Sequence, residues 1–285
     1  MSGVLLRERG FEGGGAGDGG GAAGEDGAGA APGTAFRLLG PLQVCRAGRV
    51  LDPGPPRQQA LLAVLLLRPR LETGVDQLIE SLWGEEHPAY ARNLIQKYAS
   101  GLRALGVRLE WSGSGYRLDV AGADVDLYTY ERLAAAGIAA ARAGELVEAA
   151  RLLEEARTMS TGPLGEGLEG PMLERERLYR QERFLADMEV RAELELELGR
   201  HRNAVPYLHY AVHKYPLRER FLWLLMVALY RSDRGNEALT VYAAQRSRVV
   251  EELGAEPGPA LRTLHARLLR QEPELMAMSV LRGDG

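Results

Sequence analysis

HPAYARNLIQKYASGLRALGVRL, residues 87–109, contains no acidic side chain, in a chain of 285 residues whose formal net charge is −4. Pro88 stands near its start and Gly106 near its end, as at the entry and exit of a helix. Leu94, Tyr98, Leu102 and Leu105 recur at i, i+4, i+8 and i+11, which predicts a core stripe along one face. Arg92, Asn93, Gln96, Lys97, Ser100 and Arg103 then fall largely on the opposite face. Guanidinium and amide groups can pair with base edges in a major groove, and lysine or hydroxyl groups suit bases or phosphates. No carboxylate on this face would repel a polyanion. Alone, the same face is what an ordinary solvated helix carries, so the neighbouring elements must decide.

Upstream, Phe36, Leu38, Leu42 and Val44, a turn at Ala47–Gly48, and Val50–Leu51 read as short strands. After Pro53, Gly54, Pro55 and Pro56, a helix is expected over about 57–67, ended by Pro69. A second helix over 75–83 places Val75, Leu78, Ile79 and Leu82 on one face, with Gly84 as its stop. Downstream, Val107–Trp111 and Tyr116–Val120 flank the small tip SGSG and read as a hairpin. Strands, three helices and a hairpin in that order describe a winged helix-turn-helix, whose third helix enters a major groove. Arg108, Ser114 and Arg117 on the hairpin, with Arg57 at the head of the first helix, are expected to meet the sugar-phosphate backbone.

Charge follows the same division. Residues 34–121 hold eleven basic and eight acidic side chains, whereas residues 122–285 hold twenty-two and twenty-six. Residues 1–33, with thirteen glycines and five acids, have no apolar face to bury and are expected to be a disordered tail. They lack the Gly-Lys-Ser/Thr ending of a phosphate loop. From Val125 onward only helices are expected, over about 127–142, 145–158, 171–198, 201–214, 217–232, 236–253 and 258–270. Gly199, Ala204, Leu208, Ala211 and Pro216 have tetratricopeptide spacing, and Ala238 and Tyr242 lie 34 residues after Ala204 and Leu208. The expected fold is therefore mainly α: an α+β winged helix over 34–121, an all-α tetratricopeptide-like domain over 122–275, and a C-terminal tail over 276–285.

Other chemistry finds little support. Cys45 is the single cysteine, which excludes an internal disulfide framework and a multi-thiolate metal site and fits a reducing compartment. No apolar run is long enough to span a bilayer and no secretory leader is evident, so a cytoplasmic, nucleoid-associated protein is expected. His201, His209 and His213 have helical spacing, but no further ligand type accompanies them, and they read as a polar face rather than a metal site. Glu169, Glu174, Glu176, Glu193, Glu195 and Glu197 sit among arginines on long helices and read as ion pairs. Trp83 and Trp223 read as core aromatics, and Arg218–Glu219–Arg220 as a bridge between repeats. With no nucleophile–base pair, no enzyme and no cofactor are expected. A helical-repeat adaptor for a protein or peptide is the alternative to a DNA-binding protein.

The runs FRLLGPLQV (36–44), PRQQALLAVLLL (56–67), LIESLWGEEHP (78–88), ARNLIQKYASGLRAL (91–105) and GYRLDV (115–120) resemble the OmpR-type DNA-binding domain of the Streptomyces antibiotic regulatory proteins. PLRERFLWLLMVALYRSDRGNEALTVY (216–242) and EELGAEPGPALRTLHARL (251–268) resemble that family's bacterial transcriptional activation domain, so the resemblance covers Phe36 to Leu275. It implies a transcriptional activator of an antibiotic or other secondary-metabolite gene cluster that binds direct repeats near the −35 promoter element. It further implies recruitment of RNA polymerase holoenzyme, through the sigma factor and the C-terminal domain of the polymerase alpha chain, with a homodimer as an option. Arg92, Asn93, Gln96, Lys97, Ser100 and Arg103 would lie in the recognition helix and Gly115–Leu118 in the wing. Gly84, Glu85, Glu86 and His87 would form the loop that touches polymerase. Two departures stand out. ARTMSTGPLGEGL (156–168) lacks the Trp-Arg of the family's ALxLWRGPAL-like stretch, and the short wing contains Trp111.

Overall fold

The run from Ala60 to Leu66 is apolar at every position, so a helix built on it has no face to offer water and must lie inside. In the computed structural model, which describes residues 33–281, it forms α1 (Pro56–Leu66) with all seven of those residues buried. Pro55 stands at its N-cap and Pro56 is its first residue, where a missing N–H costs nothing. Strands β1 (Thr34–Arg37), β2 (Gln43–Arg46) and β3 (Arg49–Leu51) form an antiparallel meander, with Phe36 opposite Val44 and Cys45 opposite Val50. Helices α2 (Val75–Trp83) and α3 (Ala91–Ala104) pack on α1. The hairpin forms as β5 (Leu109–Trp111) and β6 (Gly115–Leu118). A two-residue strand that no periodicity could announce, β4 (Thr73–Gly74), pairs with β6. A Cβ on Gly115 would sit 2.1 Å from the Thr73 carbonyl oxygen, so this pairing requires glycine there. The disordered tail expected over 1–33 lies outside the described residues, apart from Gly33.

The junction to the helical half is built rather than linked. β7 (Asp124–Val125) pairs parallel with β1, completing the order β3-β2-β1-β7, and runs directly into α4 (Asp126–Arg142). The Asp126 side chain, 2% exposed, accepts Leu38 N–H at 2.9 Å, Leu39 N–H at 3.0 Å and Leu127 N–H at 2.7 Å. The other polar groups of the same corner are satisfied by the loop after α5 (Leu146–Met159). Thr161 N–H donates to Leu39 O, Gly165 N–H to Leu38 O and Glu166 N–H to Gly40 O, at 2.8, 2.8 and 2.9 Å. Arg177, on α6 (Pro171–Glu197), holds that loop by donating to the Leu164, Gly165 and Leu168 carbonyls. The loop 160–168 is thus the cover of the sheet corner.

Packing does not pause at residue 122. One core runs from Phe36 through α4 and α5 to Leu173 and Leu194. A second begins at Leu185 and takes in α7 (His201–Lys214), α8 (Glu219–Arg231), α9 (Gly235–Leu253) and α10 (Pro259–Leu269). The helix α6, 27 residues long, belongs to both. The helices expected from Val125 onward all form, with ends within two residues of expectation. Arg218 donates to Glu189 at 2.6 Å and Arg220 to Glu193 at 2.5 Å, while Glu219 accepts Gly258 N–H at 2.8 Å, so this triplet bridges helices as its placement after Pro216 suggests.

The tail expected over 276–285 is packed against the helices as far as Val280. Leu275 and Val280 are buried, and Met278 packs against the second core. The cause is Arg231, 7% exposed, whose guanidinium meets carbonyls instead of a carboxylate: Leu275 O at 2.9 Å, Leu196 O at 3.4 Å and Met278 O. A buried cation must be hydrogen-bonded throughout, and the chain end supplies the acceptors. Arg220 also donates to Val280 O, and Glu197 accepts Ser279 Oγ–H and Val280 N–H. Among the described residues no helix is long and apolar enough to cross a membrane, and no three His, Cys, Asp or Glu side chains gather as metal ligands. His209 and His213 are exposed.

Two substitutions test these locks. Asp126→Ala should lower stability by about 2–4 kcal/mol and strip hydrogen-exchange protection from the Leu38 and Leu39 amides first. Arg231→Met should release residues 275–280, read as lost protection of the Val280 amide while the α7–α8 amides stay protected.

Candidate nucleic-acid interface

Helix α3 turns Ala91, Ile95, Ala99 and Leu102 into the core. Leu94, Tyr98 and Leu105, expected in the buried stripe with Leu102, are only half-buried flanks. The period is as expected and the phase is not. Side-chain bulk points to the other phase, but α3 approaches α1 through small residues, and a Cβ on Gly101 would come 2.2 Å from Oε1 of Gln58. The outward set survives this rotation: Arg92, Asn93, Gln96, Lys97, Ser100 and Arg103 are all exposed.

They are not equally available. Asn93, Gln96, Lys97 and Ser100 have no side-chain hydrogen bond or ion pair to other described residues. Arg92 pairs with Asp76 of α2 at 2.5 Å, and both side chains are mostly exposed, so the pair is weak and exchangeable. Arg103 is committed to the hairpin: its Nε donates to Leu109 O at 2.6 Å and its guanidinium lies 5.5 Å from the Tyr116 ring centroid. It ties α3 to the wing.

The hairpin cations also have partners. Arg117 donates to Glu110 Oε2 at 2.6 and 3.1 Å, directly across the β5–β6 ladder. Arg108 lies 3.7 Å from Asp119. The Ser114 hydroxyl donates to Glu72 at 2.6 Å, and hydrogen bonds from Ser114 and Ser112 hold the Glu72 carboxyl below the usual carboxylate range. Arg57 also has partners within the protein. Its guanidinium donates to Leu82 O at 2.7 Å, approaches Glu169 at 3.4 Å and lies 5.9 Å from the Trp83 ring. It satisfies an orphan carbonyl at the end of α2 and straps α2 to the entry of α6, so part of its guanidinium is engaged within the protein. Its place before an apolar helix gives no hint of partners 25 and 112 residues away.

Gly84, at φ +68°, ends α2 in a conformation other residues rarely adopt, and Glu85, Glu86 and His87 follow exposed. A Cβ on Gly84 would lie 3.3 Å from Pro171, so the loop is braced on α6. With Asp76, Glu80 and Arg92 it lines an open groove of about 520 Å³. Sequence reasoning does not single out Asp76 and Glu72, whose carboxylates temper the two basic elements, and it gives Trp111 no role. The available signal for Trp111 is a large aromatic placed directly before a small, polar tip.

The sequence profile of the bacterial transcriptional activator domain matches residues 125–269. Regulatory protein AfsR of Streptomyces coelicolor is 40% identical over 247 residues, which is 86% of this chain. The chain spans 25% of the length of that AfsR protein. Regulatory protein DnrI of Streptomyces peucetius is 32% identical over 252 residues, 84% of this chain and 93% of DnrI. Among solved structures, Mycobacterium tuberculosis EmbR in complex with a low-affinity phosphopeptide superposes with a TM-score of 0.78 at 34% identity, over 84% of this chain and 66% of EmbR.

Arg57→Ala separates the strap from the exposed face. It should lower the unfolding free energy by about 1–2 kcal/mol in a denaturant melt, yet leave duplex-DNA affinity of the folded fraction within two-fold, as an order of magnitude, of the parent. A selective loss of DNA affinity at unchanged stability would return Arg57 to the interface.

Proposed function

Because the chain belongs to the Streptomyces antibiotic regulatory protein family, which carries the bacterial transcriptional activator domain, we propose that it is a DNA-binding activator of a secondary-metabolite gene cluster with no catalytic step of its own. The observation that carries the DNA-binding reading is the exposed, unengaged face Asn93–Gln96–Lys97–Ser100 on a helix pinned through Ile95 and Leu102. A rigid helix whose amides and ammonium are not already paired can offer them to a groove. Gln96 and Asn93 are suited to adenine edges, Lys97 to a phosphate or guanine, and Ser100 to either strand. Arg92 can exchange exposed Asp76 for a guanine edge or a phosphate. Arg103 sets the angle between α3 and the wing.

The promoter site is a direct repeat near the −35 element, so two copies lie head to tail on one face of the duplex. The loop Gly84–His87 and the groove beside it face RNA polymerase. Its acidic side chains Glu80, Glu85 and Glu86 complement basic surfaces of the sigma factor or of the C-terminal domain of the polymerase alpha chain. Bracing by Pro171 favours this use, since a contact loop held by α6 keeps its position relative to α3.

A gel shift with promoter fragments of the neighbouring cluster tests the reading. The parent should give a salt-sensitive, sequence-selective shift, and none with folded protein would sink it. Gln96→Ala should cost about 1–3 kcal/mol on the selected sequence and almost nothing on a scrambled one. Lys97→Ala should weaken both and lower the salt slope by about one unit. In run-off transcription, Glu85→Ala with Glu86→Ala should abolish activation at unchanged DNA affinity.

A further inference from the structure

The hairpin's charges cancel in pairs: Arg117 with Glu110, Arg108 with Asp119, and Ser114 holding Glu72 at the tip. What remains uncompensated there is apolar. Trp111 is 50% exposed, and among described residues 91–125 it is the only exposed large apolar side chain. It stands on the last rung of β5, opposite Tyr116 and next to the Ser112–Gly113–Ser114 tip.

Its exposure is held in place. The indole sits edge-on to the Tyr116 ring, centroids 5.0 Å apart at 68°. Tyr116 is buried, and Arg103 of α3 covers the same ring while bonding the Leu109 carbonyl. One residue of the recognition helix therefore fixes where the indole points relative to Asn93, Gln96 and Lys97. A solvent-facing indole that was merely tolerated would need none of this support.

We propose that Trp111 is a non-ionic DNA contact, its ring packing on the deoxyribose wall of the groove flanking the one that α3 enters. The inference rests on the DNA-binding reading above and names a contact within it. Arg117 would have to leave Glu110 before it could serve a phosphate, whereas Trp111 only has to shed water against sugar carbons. Such a contact displaces no condensed counterions, and sugars are alike at every base pair, so it adds affinity without salt dependence or base preference.

The test uses the full chain, a duplex recovered from a random pool by selection on that chain, and a scrambled duplex, each titrated across a range of KCl. Trp111→Ala should weaken binding to both duplexes by roughly 5- to 30-fold at every salt concentration, with the log–log salt slope unchanged. Trp111→Phe keeps a ring on Tyr116 and should retain most of the affinity. Indole emission of the parent should change on adding DNA, and that change should be absent in Trp111→Phe. Parent-like affinity in Trp111→Ala, a reduced salt slope, or an emission response that persists in Trp111→Phe would each overturn the inference while leaving DNA binding intact. A parent with no salt-sensitive duplex binding would instead overturn the DNA-binding reading, and this contact with it.

Discussion

One buried carboxylate joins the halves of this molecule. Asp126 is both the first residue of α4 and the acceptor for two backbone N–H groups of the Leu38–Leu39 corner. Burial pushes its carboxyl above the ordinary value, and the N–H groups of Leu39, Leu38 and Leu127 draw it back. Removing a charge from water is costly, and only a site that fills its lone pairs offsets that cost. Here the donors are main-chain groups that would themselves be orphaned without it. The helix start adds its own partial positive charge. The corner, the carboxylate and the Thr161–Glu166 loop therefore form or fail together, and the sheet cannot swing away from α4.

That constraint explains how far the fold is legible in the sequence. The helices of the C-terminal half are readable because burial there follows a 3.6-residue period with small residues at contact points, as at Ala204, Leu208 and Ala211. Strands β4 and β7 have two residues each, too few to carry any alternation, and exist because Gly115 and Asp126 place their partners. In α3 the period is visible and the phase is not, because Ala91 and Ala99 face the core for lack of bulk, and lack of bulk is not a signal in composition. The outward residues are still correctly expected, since polar groups at 92, 93, 96, 97, 100 and 103 are compatible with either phase.

The electrostatics are less legible than the fold. Counting eleven cations against eight anions over residues 34–121 says nothing about who meets whom. Arg117 finds Glu110 seven positions away, Arg92 finds Asp76 sixteen away, and Arg57 reaches Glu169 at a distance of 112. Each pairing is set by strand register or helix docking. Once they are made, the basic block is close to locally neutral on the wing, and uncommitted cationic character on α3 centres on Lys97. Amide chemistry and shape must then carry a larger share of any groove recognition than the raw charge suggests.

The same reasoning gives α6 its place. Leu173 and Leu194 belong to the first core, and Leu185, Met188, Ala192 and Leu196 to the second, on one continuous helix. Its start rests on the last turn of α2, where a Cβ on Gly170 would lie 3.1 Å from Ser81 O, and Pro171 braces Gly84. Its far half takes the Arg218–Glu189 and Arg220–Glu193 pairs and the Leu196 carbonyl that Arg231 shares with the chain end. Buried pairs of this kind add little net stability, but breaking one leaves an unpaired charge inside, so they oppose any sliding of α8 along α6. A packed helix that cannot slide and is seated at both ends acts as a beam. The loop at 84–87 therefore has a fixed position relative to both α3 and the C-terminal helices, which a flexible linker at residue 122 could not have given it.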